Sequence, residues 1–113
     1  MSFLLILKMV AALATAAVGV LGLVKPAALH GFTGLQAAGP RGISEIRGSF
    51  GGLFIGLGIA PLLLGQAAYP VLGIGYVALG AARAFSIVFD KSYERSNLIS
   101  LGSEIVLGLI LVL

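Results

Sequence analysis

The chain has 113 residues, 59% of them hydrophobic and 10% charged, with no cysteine and a formal net charge of +3. A soluble domain carries roughly 25% charged residues, so this composition excludes a water-exposed globular surface and predicts one membrane domain, residues 1–113, with no soluble appendage. The missing cysteines exclude disulfides, thiolate metal sites and thiol redox chemistry, and seven scattered basic residues form no stripe that would hold nucleic acid.

Four apolar runs follow one another: Phe3–Val24, Ser44–Leu64, Tyr69–Phe89 and Asn97–Leu113. Each is about long enough to cross a ~30 Å hydrocarbon core as a helix rising 1.5 Å per residue. The predicted fold is all-α, an integral membrane antiparallel four-helix bundle. The first run has the flavour of a signal peptide, with Lys8 early and Ala11, Ala12, Ala14, Ala16 and Ala17 later. It lacks a basic leading region and is longer than the 7–15 residues of a signal h-region, so it reads as a retained helix.

Pro26 cannot continue that helix. Gly31, Gly34, Gly39, Pro40 and Gly42 then break up the connector Lys25–Ile43, whose middle, Pro26–Leu35, predicts a short interfacial helix. His30 is the only histidine. With no cysteine or clustered carboxylates beside it, it reads as an interfacial or solvated side chain, and no metal site is expected. Ser44 is the predicted N-cap of the second helix, with Glu45 at its positive dipole end.

In the second run Gly48, Gly52 and Gly56 recur every four residues, which puts them on one helix face, with Gly51 and Gly58 beside them. In lipid, helices associate by close packing at such small residues. Gly73, Gly80 and Ala84 offer a complement in the third run, and Ala12 and Ala16 in the first. The face can join helices within one chain or between chains. The short link Gly65–Ala68, which forces the second and third helices into a hairpin, favours packing within the chain. In the third run Gly73–Ala78 matches the GxGxxA dinucleotide fingerprint, but that fingerprint needs a preceding strand and a crevice in water. Tyr69 and Tyr93 flank spans where aromatic belts sit. Asp90, Lys91, Glu94 and Arg95 make a mixed-charge loop, in which Asp90, Ser96 and Asn97 can cap helix ends.

Basic residues set the predicted topology. Lys25, Arg41 and Arg47 belong to the first connector and its border, Lys91 and Arg95 to the third, and only Lys8 to the side of the termini. The positive-inside rule puts connectors one and three in the cytoplasm and both termini outside. Lys8 either snorkels to the outer interface or clasps the carboxylate of Leu113.

Glu45, Arg47, Arg83 and Glu104 are the charges out of place in apolar helices. Their depths converge on the cytoplasmic third, and the set is balanced in charge. A lone charge at the membrane centre costs at least ~2.5–3.5 kcal/mol, so these groups should face inward and pair. Arg83 with Glu104 is the expected pair, and Arg47 with Glu45 or Glu104 would complete the network. Ser49, Ser86, Ser100, Ser103 and Tyr76 are candidates for the remaining hydrogen bonds. The cluster reads either as a structural lock or as a polar site for an anion, a head group or a proton.

The run Gly42–Leu53, with its Glu45-Ile46-Arg47 followed by glycines, then Arg83 and Glu104, resembles the DUF4345 family of small bacterial four-helix membrane proteins. The resemblance covers the chain from about Lys25 onward, and the DoxX-like membrane proteins have a similar span count. It implies the bundle fold and a family interest in the same four charged residues, and it supplies no activity.

The functional expectation is a non-enzymatic protein of the bacterial inner membrane without a cofactor. It would act by association, as an accessory subunit of a larger membrane complex or as a homo-oligomer. The alternative is a minimal oligomeric transporter or channel using the charged cluster. A membrane enzyme acting on lipid or quinone is the weakest of the three, because no nucleophile–base pair is visible.

Overall fold

The computed structural model describes residues 2–113. Four long helices account for most of the chain: α1 (Phe3–Val24), α2 (Pro40–Leu64), α3 (Ala68–Phe89) and α4 (Arg95–Val112). Each is long and apolar enough to cross a membrane. Their bounds follow local chemistry. Ser2 caps α1, its hydroxyl accepting from the Leu5 amide at 3.0 Å, and Pro26 lies two residues past the helix end.

α2 begins four residues before the expected Ser44. Pro40 takes its first position, where a fixed φ and a missing N–H cost nothing, and Gly39 precedes it at φ +103°. Inside α2 the six residues Arg47–Gly52 are π-helical, and Pro61 sits in the interior of its last part. Gly65, at φ +80°, ends the helix. The connector after α1 is a 3₁₀ turn at Pro26–Leu29 and a single α-turn at His30–Thr33, closed by left-handed Gly34. The GxGxxA run lies wholly within α3, with no strand before it.

The close contacts divide the molecule into two helix pairs. α2 lies against α1. A Cβ at Gly58 would come within 2.6 Å of the Ala12 carbonyl oxygen and the Ala16 amide, and one at Gly19 within 2.7 Å of the Ile55 amide. Gly22 meets the Phe50 carbonyl oxygen in the same way, at 2.7 Å. α3 lies against α4, with Gly73 opposite Leu111 and Val112, and Gly108 opposite Val77. Ala11, Ala12, Tyr69, Leu72 and the fully buried Leu111 join the pairs into one small core.

The expected glycine face is not the one used inside the chain. Gly48 and Gly56 have nothing within 4 Å of a Cβ position, and at Gly52 the nearest atom is its own helix's Arg47 carbonyl, 4.0 Å away. Gly80 makes only ordinary contact with Glu104, at 3.6 Å. Packing within the chain uses Gly51 and Gly58, seven residues apart, because those positions share the buried side of α2 with Ile46 and Pro61. The short link does place α2 and α3 side by side in sequence. Yet α2 spends its close approach on α1, and a cleft of about 260 Å³ remains between α2 and α3, walled by Leu57, Ala60, Ala68 and Val71.

Candidate functional site

The four charges expected to meet fall into three places. Arg83 and Glu104 do meet: the guanidinium Nε and Nη2 donate to the two carboxylate oxygens, each at 2.7 Å. This forked geometry is the strongest that the two groups can make. Glu104 is buried on α4, with 6% of its surface exposed. Arg83, on α3, keeps 29% of its side chain accessible.

Glu45 instead pairs with Arg41, one turn away on α2, at 2.6 Å, and accepts from Ser49 at 3.3 Å. Both Glu45 and Arg41 are well exposed. Arg47 reaches across to α1 and donates from Nη1 to the Leu23 carbonyl oxygen, one of the unpaired carbonyls at that helix's negative end. The division follows from helical rotation. Ile46 takes the buried side of α2, so its neighbours Glu45 and Arg47 turn about 100° to either side of it. Neither comes to Glu104.

Asn97 is the partner that sequence reasoning missed. Its side-chain oxygen accepts from Arg83 Nη1 at 2.8 Å, and its amide nitrogen donates to the Ser92 hydroxyl at 3.0 Å. The Ser92 hydroxyl in turn donates to Glu94. A continuous chain of hydrogen bonds therefore runs from buried Glu104 through Arg83, Asn97 and Ser92 to exposed Glu94. The signal was available: Asn97 lies seven residues before Glu104, on the same face of α4. Of the serines expected as partners, Ser49 does bond Glu45, whereas Ser86 bonds Asp90 at 2.7 Å and Ser103 the Ile99 carbonyl at 2.9 Å. The Tyr76 hydroxyl pairs with buried Thr15, a second polar residue that the sequence did not single out. Tyr69 is buried in the small core, whereas Tyr93 is exposed. Lys8 forms no ion pair with the Leu113 carboxylate; the ion pairs among the described residues are Arg41–Glu45 and Arg83–Glu104.

The hydrogen bond from Ser92, together with one from its own backbone, holds the Glu94 carboxyl below the usual carboxylate range. A group whose pKa is depressed on folding stabilises the fold above its ordinary pKa, and that contribution is lost as pH falls through the folded value. In Ser92→Ala the Glu94 midpoint is expected to rise toward the ordinary range in a carboxyl-carbon NMR titration. An unmoved midpoint would show that Ser92 is not the cause.

A groove of about 610 Å³ opens beside Arg83, between the first connector and the start of α4. It brings the residue 31–35 segment next to Ser92–Asn97, so the first and third connectors share one end of the molecule. A smaller cavity of about 350 Å³ lies between His30 and Arg47. Among the described residues, no three His, Asp or Glu side chains converge as metal ligands.

The sequence profile of a domain of unknown function, DUF4345, matches residues 3–113. The chain belongs to the DUF4345 family. The match extends over α1 as well as the glycine-rich α2, Arg83 and Glu104, so the whole four-helix unit of this DUF4345 protein is the family's domain. No curated protein and no solved structure matches the chain.

Proposed function

We propose that this DUF4345 protein is a non-enzymatic, multi-pass protein of the bacterial inner membrane. It spans the bilayer as an antiparallel four-helix bundle with both termini outside, and it acts by association, as an accessory subunit of a larger complex or as a homo-oligomer. One observation carries the reading: its large apolar side chains face outward along the full length of the helices. Leu62, Leu63 and Leu64 are each more than 70% exposed, as are Phe3, Phe89 and Leu113. Contiguous apolar surface on this scale marks contact with lipid or with other proteins. The 44 Å long axis agrees with a bilayer of about 40–45 Å including its headgroups. The 17 Å short axis makes the bundle a flat one, a shape that leaves broad faces for another protein's helices. The unused stripe Gly48, Gly52 and Gly56 lies on such an exposed face.

Association is favoured over the transporter reading because the charged residues do not form a shared pathway. Glu104 is fully engaged by Arg83, and Glu45 and Arg47 are occupied elsewhere.

Gentle extraction followed by native mass spectrometry tests the proposal. The wild type is expected to emerge at fixed stoichiometry, with copies of itself or with a larger complex. Gly56→Ile is expected to release it as a folded monomer, since the position is exposed and a Cβ there meets nothing inside the chain. A lone, monodisperse wild-type monomer in mild detergent overturns the reading.

A further inference from the structure

The groove beside Arg83 has two unlike walls. Phe32, Leu35, Phe50 and Leu79 form an apolar side, and Arg83, Ser96 and Ser100 stand on the polar side. Its volume of about 610 Å³ lies within the ~300–1,000 Å³ usual for small-molecule sites. Several polar groups on that wall are unclaimed. A guanidinium has five N–H donors; Arg83 gives one to Asn97 and two to Glu104, which leaves two without a partner among the described residues. The hydroxyls of Ser96 and Ser100, one turn apart on α4 and both half-buried, likewise have no partner there. These groups are reachable from the groove, so a ligand that brings acceptors can meet them.

Charge narrows the class of ligand. The wall carries one guanidinium, but Glu104 neutralises it through two hydrogen bonds, and Glu94 adds a second carboxylate at the rim. The charged side chains that line the groove, Arg83 and Glu94, therefore balance, and a phosphate or carboxylate head finds no net positive charge to hold it. A cationic head would meet the outward edge of Arg83. An uncharged head with carbonyl oxygens suits both the donors and the field, and a hydrocarbon chain suits the phenylalanine and leucine wall.

We propose that this groove binds a membrane amphiphile with a neutral, carbonyl-bearing head and an apolar chain, the carbonyl oxygens accepting from Arg83 and Ser100. Quinones and diacylglycerol-type esters share that chemistry. The inference rests on the chain lying in a membrane, and it does not depend on what the protein associates with.

The test titrates the full-length protein in mild detergent with three probes, decylubiquinone, dioctanoylglycerol and dioctanoyl phosphatidate, and counts bound molecules by native mass spectrometry. One of the two neutral probes should bind saturably at one per chain, and which one does so identifies the source. The phosphatidate should bind at least tenfold more weakly. Ser100→Phe, which fills the groove from α4, should weaken the neutral probe at least tenfold. Ala82→Phe, which fills it from α3, should do the same and serves if the first variant does not fold. The proposal is overturned if neither neutral probe saturates, if phosphatidate binds as tightly, or if a folded groove-filling variant binds unchanged. A carbonate wash of the membranes, run in parallel, separates this failure from that of the membrane reading, because only the latter predicts release of the protein into the wash.

Discussion

Glu104→Gln is expected to destabilise the fold by about 3 kcal/mol, the low end for breaking a buried ion pair by removing one partner. The carboxylate accepts two guanidinium hydrogen bonds. A glutamine can accept one, and its amide hydrogens would face the donors of Arg83. The low end applies because Arg83 is 29% accessible, so polar surroundings can partly solvate the freed cation. The loss would be read as a lowered thermal midpoint in micelles. Replacing both partners by Met should recover most of it, since a well-packed apolar pair costs little in place of a buried ion pair. A transporter that uses Glu104 as its proton site would behave differently, keeping its stability in Glu104→Gln and losing flux. An unchanged thermal midpoint in Glu104→Gln would remove the pair from any structural role.

Gly58→Ala is expected to separate α1 from α2. The added carbon would lie 2.6 Å from both the Ala12 carbonyl oxygen and the Ala16 amide. Backbone atoms cannot rotate away as a side chain can, so the helices must move apart. Overpacking usually costs about 1–3 kcal/mol, and the upper end is expected at this contact. Gly56→Ala, two residues earlier, supplies the control. Its Cβ meets open space, and alanine in place of glycine in a helix interior is favourable by roughly 0.5–1 kcal/mol. The two variants should therefore shift the unfolding midpoint in denaturing detergent in opposite directions. Equal shifts would mean that α1 and α2 do not pack as described.

Much of this architecture is legible in the chain itself. The apolar runs and the glycine and proline punctuation located all four helices, because helix length and hydrophobicity are local properties of the chain. The bounds moved where capping chemistry competed: Pro40 at the first helical position was a stronger start than Ser44. The Arg83–Glu104 pair was also legible, because two opposite charges at similar depth in successive apolar helices have little alternative to each other. Asn97 was read only as a cap and Thr15 was not singled out, since an amide or a hydroxyl in a helix carries no comparable penalty to betray it.

Composition and pattern alone therefore determined four long apolar helices, their order and the one charge pair that burial makes obligatory. Tertiary structure decided which faces touch. Gly48, Gly52 and Gly56 repeat more regularly, yet Gly51 and Gly58 make the contact. A four-residue spacing says which residues share a face, but not which neighbour that face will meet. The same holds for Glu45 and Arg47, which the rotation of α2 about buried Ile46 sends to Arg41 and to the end of α1 rather than to Glu104. Helix rotation is set by the sum of contacts made by distant segments, so it is written in no single stretch of the chain.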